Sequence, residues 1–157
     1  MNEKLKHLEF IQGVINRLAS NSFLLKAWTI TLTSAIFALA TKDSTARIIY
    51  IAYLPVVIFW FLDAYFLRQE RLFRRVYESV RKKNNSEIDF SLDTTPFRRE
   101  VSSYVRVMFS ITLGWFYGVL LICVVIATIL LTHCLAPAPN ASTQEEKPRS
   151  AVIQQQR

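Results

Sequence analysis

The run from Ile48 to Lys83 constrains this chain more than any other. Its first twenty residues, Ile48 to Leu67, are apolar except for Asp63. A helix of that length rises about 30 Å, the depth of a bilayer's hydrocarbon core. The run then continues, without Gly or Pro, into the basic segment Arg68 to Lys83. There Leu72, Phe73, Val76, Tyr77 and Val80 recur at the spacing of one helix face. The pattern predicts one long helix that leaves the membrane on a basic stalk. Pro55 lies inside the span and is expected to bend it, or to be tolerated with local repair of the freed carbonyl.

The rest of the chain fits around that helix. Residues 1–21 are amphipathic, with Leu5, Leu8, Ile11, Ile15 and Leu18 on one face. That face is too interrupted to span a membrane, so it must pack on other helices or lie on lipid. Residues 22–40 form the first apolar run, short enough that Lys26 is expected to snorkel toward the headgroups. Ala27, Thr31, Ser34, Ala35 and Ala38 make a stripe of small residues along it. Such a stripe usually faces another helix. The sharper alternative is a water-filled path, with Thr31 and Ser34 lining a pore. A cleaved signal peptide ending at Ala38-Leu39-Ala40 is opposed by the long patterned segment before Lys26.

Residues 41–47 make a short outer loop. Residues 68–107 form a hydrophilic insert carrying ten Lys or Arg. Asn84 to Thr95 breaks the helix, and Thr95-Pro96 reads as the cap and first residue of another. Val101, Tyr104, Val105 and Met108 then form a stripe leading straight into the third apolar run, residues 108–135. Segments 68–83 and 95–107 are thus expected to form a basic helical hairpin. With the N-terminal helix, they would build a small cytoplasmic bundle. Residues 136–157 have no apolar period and read as a disordered tail, in which Asn140-Ala141-Ser142 is a weak glycosylation match.

The fold class expected is therefore all-α, with three transmembrane helices. A net charge of +7 beside 52% hydrophobic residues fits a small membrane protein better than a soluble domain. Lys4, Lys6, Arg17 and Lys26 fall on the side of the basic insert. That side is expected to be cytoplasmic, which places the C-terminus outside. Trp28, Trp60 and Trp115 would then lie toward the cytoplasmic half of the membrane, like an interfacial belt.

Three groups of residues stand out. Asp63 is the only acid in any span and must face protein or water. Lys26 and Arg106 enter their helices near the same depth, so either can pair with it. The choice is between a structural pair and a gate on an ion path. Ser110, Gly114 and Gly118 form a row of small residues that lets helices approach closely, within one subunit or between two. Arg68, Arg71, Arg75 and Lys82 follow one face of the basic helix. They serve topology and contact with anionic lipid, or they hold a phosphate-bearing ligand or nucleic acid.

Catalysis finds little support, and a membrane-embedded enzyme is the least favoured reading. His7 and His133 fall on opposite sides of the membrane, and no Ser, His and acid cluster or Gly-rich phosphate loop is present. Cys123 and Cys134 have no metal-type spacing and read as helix packing. No cofactor or metal is expected.

The layout resembles the SLATT-type small membrane effectors of bacterial nucleotide-signalled, anti-phage immunity. The run from Tyr53 to Arg75, YLPVVIFWFLDAYFLRQERLFRR, also resembles that of small bacterial membrane proteins of unassigned role. The resemblance covers residues 1–135 and lies in layout, so it carries over no functional residue. It implies an inner-membrane homo-oligomer that opens a pore under control of a nucleotide or nucleic-acid ligand. A third full span with an outer tail departs from the simplest two-helix form. The alternative from another class is a non-conducting anchor or adaptor that recruits a soluble partner.

Overall fold

The structure, a computed structural model, describes residues 3–41 and 46–134. The tail and its sequon lie outside the described residues, as do Lys42 to Thr45. All regular structure among the described residues is helical. Helix α1 spans Glu3–Ala40, and a 3-10 segment, Ala46–Ala52, leads into α2, Tyr53–Lys82. Two 3-10 turns follow, then the short α3, Tyr104–Met108, and α4, Ile111–Cys134. Three segments are long and apolar enough to cross a membrane: one within Glu3–Ala40, one within Ile48–Lys82, and Ile111–His133.

The amphipathic segment and the first apolar run are one helix, with no break near Asn21. A single buried stripe explains the continuity. His7, Ile11, Ile15, Ser22, Thr29, Thr33 and Ala40 are buried along the whole length, at separations of four and seven residues. That is the seam by which one helix follows another over many turns. The partner is α2, which runs antiparallel. Lys4 donates to the Lys83 carbonyl at 2.8 Å at one end, while Lys26 meets Asp63 well up the pair.

Pro55 is the third residue of α2. Backbone N–H groups of the first turn have no intrahelical acceptor, so proline removes no bond there. The irregularity expected inside the span lies at its start, where residues 48–52 belong to the 3-10 segment.

The connection from α2 to α4 departs from the expected hairpin. Only Thr95–Phe97 and Tyr104–Met108 are helical in the return segment, and Phe109-Ser110 separates α3 from α4. Thr94, not Thr95, precedes the first of these turns. Ser102 and Ser103 lie where the helix was expected to continue, and Ser103 is extended, with ψ at 155°. Serine hydroxyls compete for backbone groups and weaken a helix interior. The apolar stripe is nevertheless used, since Val101, Val107 and Met108 are buried.

The core is in two pieces. One lies in the apolar zone and is built from Ala52, Val56, Ala64, Met108, Leu113, Tyr117 and Val124. The other lies at the basic end, where Ile11 and Ile15 meet Val76 and Val80 under Phe97 and Leu92. The loop after α2 closes over this second core. Hydrogen bonding to Ser91 holds the Asp89 carboxyl below its usual range, and bonding to Thr95 does the same for Asp93. Phe90, at φ 52°, rests its ring 5.2 Å from that of His7.

His7 is 1% exposed, and neither ring nitrogen has a hydrogen-bond partner among the described residues. Burying a polar group without a partner is unfavourable. His7→Leu should therefore raise stability by about 1 kcal/mol, read as a higher melting temperature of the detergent-extracted protein.

Candidate functional site

Two polar features occupy the length of the α1–α2 pair. The first sits in the apolar zone and joins all three long helices. Asp63 on α2 is fully buried. Its Oδ1 accepts from the Ser22 hydroxyl, and its Oδ2 accepts from Lys26 Nζ at 2.5 Å. Lys26 also donates to Ser22 Oγ at 2.8 Å. From α4, the Tyr117 hydroxyl lies 3.2 Å from Asp63 Oδ2 and 3.3 Å from the Phe59 carbonyl. With one proton, it donates to either acceptor in turn.

Aromatic rings enclose this knot. The Trp60 ring stacks on Tyr117 with centroids 5.9 Å apart, and Lys26 Nζ stands 5.9 Å over the Phe116 ring. The Trp60 indole N–H donates to the Met108 carbonyl at 3.0 Å, which ties α3 to the same place. Both charges are met and each carboxylate oxygen is occupied. A closed network of this kind fixes one arrangement of its helices, because any other leaves a charge unpaired in an apolar setting.

Sequence reasoning names Asp63, Lys26 and Arg106, and the structure joins the first two. Arg106 is exposed and makes no ion pair among the described residues. Ser22 and Tyr117 were missed. A signal existed for each: Ser22 is one turn before Lys26 on the same face, and a tyrosine hydroxyl in an apolar helix needs a partner.

The second feature is a cleft of about 670 Å³ at the basic end. Gln12, Ile15, Asn16 and Ala19 of α1 form one wall, and α2 forms another from Glu70 to Glu78. Glu100, Val101 and Ser102 of the return segment complete it. Glu70 is paired with Arg74, and Glu78 with Arg81. Arg71 and Arg75 line the cleft and make no ion pair or hydrogen bond among the described residues. Two free guanidiniums one turn apart suit the oxygens of a phosphate or carboxylate. Tyr77 adds an aromatic ring, and Glu100 presents an opposing charge.

The other two basic residues of that face lie outside the cleft. Lys82 is exposed near the end of α2. Arg68 lies one turn closer to Asp63, with its Nε buried and without a hydrogen-bond partner among the described residues.

The small-residue rows stand differently. Ala27, Thr31, Ser34, Ala35 and Ala38 are all exposed, opposite the seam with α2. Thr31 satisfies its own hydroxyl on the Ala27 carbonyl at 2.9 Å. A methyl group added at Gly118 meets nothing within 4 Å, and one at Gly114 meets only the Phe109 backbone, at 3.8 Å. Neither glycine therefore serves close packing between helices of one chain. Gly118→Ile should leave the monomer's thermal stability within about 0.5 kcal/mol of the parent, as for an outward-facing substitution. If the row joins subunits, the same change should shift the extracted protein to smaller particles by size-exclusion chromatography with light scattering.

No group of three or more His, Cys, Asp or Glu able to hold a metal occurs among the described residues. Cys123 is exposed. Comparison with protein-family models, curated proteins and solved structures finds no match to this chain.

Proposed function

We propose that this protein is an oligomeric membrane effector of the pore or channel type. An anionic ligand at the basic, cytoplasmic end controls it. The observation that carries the reading is the cleft: Arg71 and Arg75, unpaired among the described residues, lie between the same two helices that continue into the apolar zone. A ligand held there touches α1 and α2 together, a few turns from the Ser22–Lys26–Asp63–Tyr117 knot. A ligand shifts such an equilibrium only by binding one helix arrangement better than another. The resemblance to SLATT-type effectors supplies the rest of the proposal: a bacterial inner membrane, anti-phage defence and a nucleotide or oligonucleotide ligand.

Expression in bacteria tests the reading. Membrane depolarisation and growth arrest on expression, together with ligand-dependent conductance of the purified protein in liposomes, support it. Liposomes that stay tight with and without cyclic nucleotides and oligonucleotides would sink it. One observation favours a second reading. Leu5 and Phe10, apolar residues on the basic half of α1, are more than half exposed. They give a non-conducting adaptor a surface on which to seat a soluble partner. Tight liposomes with a stable stoichiometric complex would establish that role instead.

A further inference from the structure

Arg106 is a charge without a partner among the described residues, in an unusual place. It sits on α3, which is pinned to α2 from both ends. The Tyr104 hydroxyl donates to the Phe61 carbonyl, and the Trp60 indole holds the Met108 carbonyl. The Phe109 ring packs edge-on against Trp60, with centroids 5.5 Å apart. These contacts hold α3 beside Trp60 and Phe61, in the apolar part of α2. That level is seven residues above Arg68, about 10 Å along the helix axis.

Among the described residues, Arg106 has no anion there. Asp63 is fully taken by Ser22, Lys26 and Tyr117. Glu100 lines the cleft and makes no ion pair with it. Along this bend Val105, Phe109, Ile111 (92% exposed) and Trp115 (76% exposed) face outward, with Ser103 and Thr112 as the small polar residues exposed among them. An outward apolar knuckle with one guanidinium and one indole is the chemistry of the boundary between acyl chains and headgroups.

We propose that the bend between α3 and α4 is a phospholipid site. Arg106 pairs with the headgroup phosphate, and Phe109, Ile111 and Trp115 lie along the upper acyl chain. The site rests on the reading of 48–82 and 111–133 as membrane spans, and is independent of any ligand in the cleft. Arginine's planar fork meets two phosphate oxygens at once. A headgroup with net negative charge binds better than a zwitterionic one, because no acid among the described residues neutralises the guanidinium.

The test uses the full-length protein in vesicles of phosphatidylcholine, with or without a minority of phosphatidylglycerol. Mild detergent extraction is followed by native mass spectrometry. The parent should retain phosphatidylglycerol in preference to phosphatidylcholine. Arg106→Gln should weaken that retention about fivefold, the contribution of one basic residue near an anionic surface. Arg106→Lys keeps the charge but not the fork, and should fall between them while preserving the fold. Equal retention in parent, R106K and R106Q overturns the proposal, as does a parent that keeps no lipid. Inorganic phosphate that displaces the lipid shows a simple anion site and overturns it too. Loss of a dimer in R106Q, with lipid unchanged, assigns the guanidinium to a second copy instead.

Discussion

Asp63→Asn should destabilise the protein by about 3 kcal/mol, near the low end for breaking a buried ion pair. The reason is geometric. Asp63 is wholly buried, and its two oxygens accept from Ser22, Lys26 and Tyr117. Asparagine keeps the shape but loses the charge, and its amide nitrogen brings a donor toward donors. Lys26 is left unmatched. It is 21% exposed and so can partly escape toward the headgroups, which places the loss at the low end. Pairing the change with Lys26→Met should recover most of the stability, because the uncompensated charge goes with it. Thermal unfolding of parent, both single variants and the double variant closes the cycle. A double variant no better than D63N would mean that the ion pair does not hold the helices together.

Charge reversal at Arg71 and Arg75 together should abolish the response of conductance to an anionic ligand while leaving membrane insertion intact. Each charge-assisted hydrogen bond to a phosphate contributes about 1.5–3 kcal/mol, so losing two lowers affinity by at least about a hundredfold. Neither residue has an ion pair or hydrogen bond among the described residues, so none is broken there. Arg71→Ala with Arg75→Ala is the milder check, since it adds no new acid beside Arg74. Lys82→Glu is the control. It changes the net charge of the same helix outside the cleft, and should respond like the parent. If K82E and the double reversal behave alike, bulk positive charge explains the basic helix and the cleft does not.

The three apolar runs were plain in the sequence because each is long and nearly uncharged, and each became a helix able to cross a membrane. The pairing candidates for Asp63 were also legible, because a buried acid in lipid permits few answers. The rotation of α1 was not. Hydroxyl and small residues occur on both of its faces, at Ser22, Thr29 and Thr33 as well as at Thr31 and Ser34. Composition cannot choose between two such stripes. The choice followed from a contact with Asp63, which α2 supplies 37 residues downstream of Lys26. The return segment misled for a different reason. Its apolar spacing is helical, but Ser102-Ser103 and the pins from Trp60 and Tyr104 set its path. The cleft was half legible. Arg71 and Arg75 share a face with Arg68 and Lys82, yet only the packing of α1 and the return segment encloses the middle pair.

The two-faced character of α1 has a consequence of its own. A half turn of this helix about its axis would exchange one small, hydroxylated surface for another of nearly the same shape. In the apolar half, both settings present small residues that let helices approach. What tells them apart in the apolar half is concentrated in Lys26 and Ser22, which reach Asp63 in only one of them, while at the basic end a turn of the whole helix would also draw Ile11 and Ile15 out of the second core. The membrane part of the protein thus behaves like a key with two similar edges and a single distinguishing tooth. Loosening that tooth narrows the gap between two packings of the apolar half, and the second core around Ile11 and Ile15 is then what holds the helix in its setting.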